Sequence, residues 1–305
     1  MSQEKRTEGG VSPTITIGFD LVVHRIGYGA MQLTGPKVWG DYPDREGGIA
    51  LLKEVVASGV NFIDTADTYG PFTNETLIHD ALHPYPDDLV IATKGGFVRG
   101  GPEYEDRDAV GNRMYLRQCA FTSARRLGVE QIDLYYLHTP TAKDVPFEEQ
   151  IATLAELQEE GLIKHIGLSN VSAEQFHGAR KIVEIADVTA HYTIGVRTAA
   201  ALLKAAEEAG VVFSPWHPAA VPKDESAPLF HAVLEPLAQK YDATVQQIAL
   251  AWQLHRSPVM LPIPGTTSVE HLKENLRAAA IRLTPEEVVA ITQFVPEDTE
   301  ILKES

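Results

Sequence analysis

LVIATK at residues 89–94, RMYLRQCAFTSARRL at 113–127 and IDLYYLH at 132–138 form the stretch that decides the fold. A segment with helical spacing lies between two short runs that are apolar nearly without a break. Strands of that kind are buried on both faces, as in a parallel sheet covered by helices. The same unit recurs outward. Toward the N-terminus lie strands at Arg25–Met31 and Asn61–Thr65, with helices over Arg45–Ser58 and Asn74–Leu82. Toward the C-terminus, strands at His165–Ser169, Val188–Thr193, Val211–Trp216 and Val259–Ile263 alternate with helices over Phe147–Glu160, Ala173–Glu184 and Thr198–Ala209. Pro146 stands where a helix should begin, and Gly59, Gly128, Gly161 and Gly210 stand where helices should stop.

Eight such units in about 250 residues specify an α/β fold, the (β/α)8 TIM barrel. The rival is an open doubly wound sheet, whose dinucleotide-binding form needs GxGxxG after the first strand. Here Gly27-Tyr28-Gly29 runs into Ala30-Met31-Gln32, so the third glycine is missing. Three pieces lie outside the repeat. Thr14–Val22 suggests an N-terminal β-hairpin capping the barrel floor. Leu229–Tyr241 and Thr244–His255 are two helices where one is needed, and Thr284–Phe294 is another, with Pro285 at its first position. The expected organisation is a flexible arm (1–13), one barrel domain (14–295) and a charged tail (296–305).

The 305 residues suffice for a large core, and the single Cys119 excludes an intrachain disulfide framework or cysteine-based zinc cluster. The net charge of −16, from 26 Lys and Arg against 42 Asp and Glu, argues against nucleic acid and anionic membrane as partners. No run approaches the roughly 18 apolar residues of a membrane span, and the polar start lacks a signal-peptide core. A cytoplasmic protein is expected. Its oligomeric state is not readable.

A barrel enzyme carries its chemistry at the C-terminal ends of its strands. Those ends offer Asp64, Asp67 and Tyr69, then Lys94, His138, Ser169 with Asn170, Tyr192 with Thr193, and Trp216 with His217. An acid, a tyrosine, a lysine and a histidine thus follow three consecutive strands. A tyrosine titrates near ~10, too high for easy proton donation at neutral pH unless a nearby ammonium lowers it. A carboxylate would fix that lysine, and a histidine could orient a carbonyl oxygen. Together they make a proton relay aimed at an oxygen. The chain has no hydride source, so redox chemistry would require a nicotinamide cofactor. His191 and His217 belong to no spaced ligand set, so no metal is expected. Trp39, Phe72 and Phe97 are candidate pocket walls, and Cys119 reads as a small buried hydrophobe.

The sequence resembles an aldo-keto reductase. The carrying stretches are GYGAM (27–31), NFIDTADTYG (61–70), VIATKGG (90–96), DLYYLHTP (133–140), GLIKHIGLSN (161–170), FSPWHP (213–218) and LPIPGTTSVEHLKEN (261–275). They span nearly the whole chain, and the D-x-x-x-x-Y spacing with the later lysine and histidine is the most specific part. The resemblance implies reduction of an aldehyde or ketone with NADPH. It implies Tyr69 as general acid, Lys94 as its partner, Asp64 as the lysine's counter-ion and His138 as the substrate-orienting residue. It also implies that Ser169 and Asn170 hold the nicotinamide carboxamide, that Trp216 stacks beneath the ring and that Met31 touches the cofactor. Gly265, Thr266, Thr267, His271, Glu274 and Asn275 would hold the adenosine phosphates.

Two departures bear on function. After the sixth strand the family usually reads Gln-Asn-x-Tyr-Asn, whereas this chain reads Thr189-Ala190-His191-Tyr192-Thr193. Thr189 takes the place of a carboxamide-binding glutamine and is too short to reach as far. Gly265 and His271 stand where many relatives carry Lys or Arg near the 2′-phosphate, so NADH is a possible alternative to NADPH. Two other readings stay open: a cofactor-independent lyase, isomerase or cyclase using the same tetrad, or a non-catalytic relative.

Overall fold

The protein is described by a computed structural model covering residues 11–222 and 227–296. The expected arm and tail therefore lie almost wholly outside the described residues.

The chain opens with an antiparallel hairpin, β1 (Thr14–Ile17) and β2 (Leu21–His24). The alternating units follow: β3 (Tyr28–Gly29), α1 (Arg45–Ala57), β4 (Phe62–Asp64), α2 (Thr73–Leu82) and β5 (Val90–Gly95). A second hairpin interrupts them, β6 (Phe97–Arg99) with β7 (Arg107–Ala109). They resume with α3 (Arg113–Leu127), β8 (Ile132–Leu137), α4 (Phe147–Glu159), β9 (Ile163–Ser169), α5 (Ala173–Ala179), β10 (Asp187–His191), α6 (Ala200–Ala209) and β11 (Val212–Trp216). The last helices are α7 (Ala227–Lys240), α8 (Val245–Arg256), α9 (Val269–Arg277) and α10 (Pro285–Phe294). Gly128 and Gly210 end α3 and α6 in the left-handed region, at φ 70° and 66°, where a side chain would be strained.

Seven strands pair in parallel in the order β11-β10-β9-β8-β5-β4-β3. The sequence predicts an eighth strand at Val259–Ile263. The structure puts an extended segment there that bonds both edges but forms no continuous ladder. On one side Phe213 N donates to Val259 O (2.9 Å) and Leu261 N to Phe213 O (2.8 Å). On the other, Gly27 N and Gly29 N donate to the carbonyls of Pro262 and Pro264, at 3.0 and 3.3 Å. The cause is those two prolines, which have no N–H to give. The segment completes a (β/α)8 barrel.

Three more expectations shift. The first strand shrinks from Arg25–Met31 to Tyr28–Gly29, because Ala30–Gln32 turns into a 3-10 helix. The fifth helix stops at Ala179. Lys181 and Ile182 donate to Gly178 and Ala179, a tightened turn leading into the β-branched pair Ile182-Val183. The β6–β7 hairpin fills a loop in which the sequence predicts no element.

The pleat sends alternate residues of each strand inward. Phe62, Val90, Ala92, Leu134, Tyr136, Val212, Leu261 and Ile263 fill the barrel together with Ile17, Leu21 and Val23 of the first hairpin. That hairpin plugs the floor: Asp20 accepts from His165 Nε2 at 2.7 Å beside the start of β9. Outward residues such as Ile63 and Ile91, or Leu137 and Leu168, pack under the helices. The inward phase does not end with the apolar layers. Phe62 leads to Asp64, Ala92 to Lys94 and Tyr136 to His138, which delivers three polar side chains to the mouth.

Candidate active site

Asp64 ends β4, and Lys94 stands one strand over on β5, where it is the partner of Tyr136. Both are nearly sealed from solvent, at 4% and 3% exposure. The Lys94 ammonium donates to Asp64 Oδ1 at 2.7 Å, to the Thr65 carbonyl at 2.8 Å and to the Tyr69 hydroxyl at 3.5 Å. Tyr69 lies on the loop between β4 and α2. Asp67 anchors that loop: its N–H donates to the Lys94 carbonyl (3.1 Å) and its carbonyl accepts from Phe72 N (2.7 Å). His138 faces Tyr69 edge-on at 6.0 Å between ring centres, and Phe97 of β6 covers it at 4.8 Å. The structure thus brings Asp64, Tyr69, Lys94 and His138 together.

Their electrostatics differ from the sequence expectation in one respect. The sequence predicts that Lys94 lowers the Tyr69 phenol. In the folded site, burial and the carboxylates of Asp64 and Asp67 hold the phenol well above its ordinary value, so it keeps its proton. Burial and the cations Lys94 and Arg107 push His138 well below the usual histidine range, leaving a neutral ring at pH 7. Burial raises Asp64 and the Lys94 ammonium opposes that rise. Asp64 Oδ2 and His138 Nδ1 are buried without a hydrogen-bond partner. The site therefore holds a protonated phenol, a neutral imidazole and a fixed ammonium beside two unsatisfied polar atoms.

On the opposite wall, Ser169 ends β9 and Asn170 follows it. Asn170 sits in the left-handed region (φ 58°), with its amide donating to Ser169 Oγ at 3.0 Å. Its side-chain oxygen accepts from Trp216 Nε1 at 3.1 Å, linking β9 to β11. Thr189 is buried and donates its hydroxyl to the Ser214 carbonyl at 2.6 Å. The inward position above it is His191, whose ring stacks on Trp216 at 4.1 Å with 11° between planes.

The remaining cofactor candidates lie together at the far end of the mouth. Gly29 and Gly265 run so close that a Cβ on either would sit 2.8 Å from backbone oxygen of the facing segment. Met31 is half-buried in the turn beyond Gly29. Thr266 Oγ1 accepts from Ser268 N (3.0 Å), and Ser268 caps α9 by accepting from His271 N (3.3 Å). Thr267 and His271 are exposed there, with Glu274 and Asn275 half-buried one turn along. A tight backbone cradle leading to a capped helix N-terminus suits the phosphates of a dinucleotide. The polar groups and the Trp216 ring suit a nicotinamide, so the residues present fit that cofactor.

Sequence reasoning missed the residues that hold this geometry. Asn74 is fully buried, donating to the Ala30 and Leu33 carbonyls (2.9 and 2.8 Å) and accepting from Thr65 Oγ1 (2.6 Å). It ties the first-strand turn to the loop that carries Tyr69. A polar residue at a helix start reads as a cap in sequence, and nothing there marks it as an interior tie. Arg107 on β7 was also missed. Of the candidate walls, Phe97 reaches the site, Trp39 bridges to Gly70 near it, and Phe72 is half exposed under Arg126. Cys119 is buried, and burial and Asp67 raise its thiol.

The chain matches the aldo/keto reductase family over residues 25–296. It is 43% identical over 275 residues to an uncharacterized oxidoreductase of Schizosaccharomyces pombe, covering 90% of this chain and 87% of that one. It is 41% identical over 287 residues to the pyridoxine 4-dehydrogenase of Escherichia coli, covering 90% of this chain and 96% of that enzyme. Among solved structures, the holo form of an aldo-keto reductase from Bacillus halodurans superposes with a TM-score of 0.80 at 27% identity, over 93% and 96% of the two chains.

Proposed function

Because this chain belongs to the aldo/keto reductase family, we propose that it reduces an aldehyde or ketone to the alcohol, using NADPH. The observation that carries the reading is the buried triad: Lys94 at 2.7 Å from Asp64 and 3.5 Å from the Tyr69 hydroxyl. A bound nicotinamide would supply the hydride. Ser169, Asn170 and Trp216 would hold its ring end, and the 265–268 loop with the start of α9 would hold its phosphates. Met31, Thr189, His271, Glu274 and Asn275 complete the candidate set. Thr189 contributes through the backbone layer, since its hydroxyl is engaged by Ser214.

Tyr69 is suited to give its proton to the carbonyl oxygen as negative charge develops there. The phenol is held protonated, and the phenolate left behind would lie next to the Lys94 ammonium. Neutral His138 can donate an N–H to the same oxygen and aim the carbonyl. Carbonyl, reduced nucleotide and proton sum to the alcohol and the oxidised nucleotide. The reverse reaction needs the phenolate, so a raised phenol favours reduction at neutral pH and oxidation only at high pH.

The E. coli relative is named for oxidising pyridoxine at position 4, which makes pyridoxine and its 4-aldehyde the first substrates to try. Titration of the purified protein with NADPH, then NADH, followed by tryptophan fluorescence, tests the cofactor. Micromolar binding, about −8 kcal/mol, is expected for NADPH. If neither nucleotide binds at millimolar concentration, the redox reading falls and a cofactor-free reaction of the tetrad takes its place.

A further inference from the structure

Two arginines oppose each other across the β6–β7 hairpin, since Arg99 and Arg107 are direct cross-strand partners. Like charges so placed repel. Arg99 is satisfied locally, donating to the carbonyls of Lys37, Val38, Pro102 and Glu103 at 3.2–3.3 Å. Arg107 is exposed. Its guanidinium lies over Tyr104, 3.9 Å from the ring centre, and 5.5 Å from that of Phe97. It makes no ion pair or hydrogen bond with any described residue. The adjacent Asp108 points from the other face of the hairpin, paired with Val98, and its carboxylate accepts from Ala109 N.

The Phe97 ring that Arg107 overlies is the one that covers His138, and His138 faces Tyr69. A cation with no ion-pair partner among the described residues is therefore held by aromatic rings at the rim of the catalytic mouth. The chain as a whole carries −16 and repels anions, so an anionic substrate needs a local positive charge to enter. We propose that Arg107 is a specificity residue that favours carbonyl substrates bearing an anionic oxygen, a carboxylate or a phosphate, over neutral ones. Its charge already reaches the reacting groups, opposing the rise of Tyr69 and lowering His138. The arginine's planar fork suits either anion, and the aromatic seat limits the freedom lost on binding. The inference rests on the carbonyl-reduction reading, and its test separates the two.

Benzoate, phenyl phosphate and neutral benzamide are titrated into the protein in the presence of NADP+, for the unaltered chain, Arg107→Gln and Arg107→Lys. At least one anion is expected to bind about tenfold tighter than benzamide, and which one does so identifies the group. Arg107→Gln should remove that advantage, Arg107→Lys should keep part of it, and 0.5 M salt should weaken it. In parallel, the KM ratio of 4-methylbenzaldehyde to 4-carboxybenzaldehyde should fall about tenfold in Arg107→Gln. An unaltered protein without anion preference, or an Arg107→Gln protein that retains it, overturns the proposal. If neither aldehyde is reduced by the unaltered protein, the reduction reading fails, while the binding titrations still decide the role of Arg107.

Discussion

Asp67 is a buried carboxyl on the loop that carries Tyr69, and its titration is set by the fold. It is 2% exposed, and its Oδ1 has no hydrogen-bond partner among the described residues. Burial, reinforced by Glu75, pushes it up to about 7 from an ordinary 3.8; Cys119 and Arg126 oppose the rise. Between those two values the folded chain keeps a proton that the unfolded chain has released. Stability therefore falls as pH rises through that window, and the cost is complete above it. Asp67→Asn removes the titration while keeping the shape. Its melting temperature relative to the unaltered protein should climb from pH 4.5 to pH 8, measured by calorimetry at both values; a difference that does not change with pH would refute the assignment. At the same scale the sequence was partly legible. Asp64, Tyr69, Lys94 and His138 are singled out by type and by their place at strand ends, and the structure brings these four side chains together. The state of the Tyr69 phenol was not legible, since burial outweighs the lysine and burial is a property of the fold.

Among elements, the closing segment at 259–264 carries the most consequence for function. Its prolines interrupt the ladder, so the join between barrel edges rests on separate backbone hydrogen bonds together with close backbone contact at Gly29 and Gly265. A methyl at residue 265 would stand 2.8 Å from the Gly29 carbonyl, and a carbonyl cannot swing aside as a side chain can. Gly265→Ala should cost about 1–3 kcal/mol, read from the urea midpoint, and weaken NADPH binding with it. Unchanged stability would mean that the cradle is looser than the geometry states. Element boundaries show where sequence reading succeeds. The third helix at 113–127 was legible to the residue, because Asn112 caps it and Gly128 stops it. The fifth helix was overextended, because apolar spacing continues past Ala179 while the backbone has already tightened. The β6–β7 hairpin escaped notice, since GGFVRGGPEYEDRDAVGNR (95–113) lacks alternation and its Gly100-Gly101 turn signal is followed by a polar stretch before the return strand at Arg107.

For the whole molecule, one period-two phase explains both fold and site. Residues that fill the barrel and residues that line its mouth lie on the same inward face of the same strands. Thus Ala92 and Lys94, or Leu134, Tyr136 and His138, are successive members of one row. The row of β10 adds Thr189 and then His191, so the mouth position belongs to His191, which stacks on Trp216. The sequence offers Thr189 for the cofactor by its place in the family pattern, and the depth of that residue in the barrel is visible only in the fold. On the proposed reading, this mouth passes a hydride from the nucleotide to a carbonyl carbon while Tyr69 supplies the proton. The direct measurement uses NADPH carrying deuterium at both nicotinamide C4 positions with pyridoxal and benzaldehyde, and reads the product by mass spectrometry and NMR. One deuterium on the carbinol carbon is expected, with a rate at least about a hundredfold lower in Tyr69→Phe. Product without deuterium, or an undiminished rate in Tyr69→Phe, would contradict it.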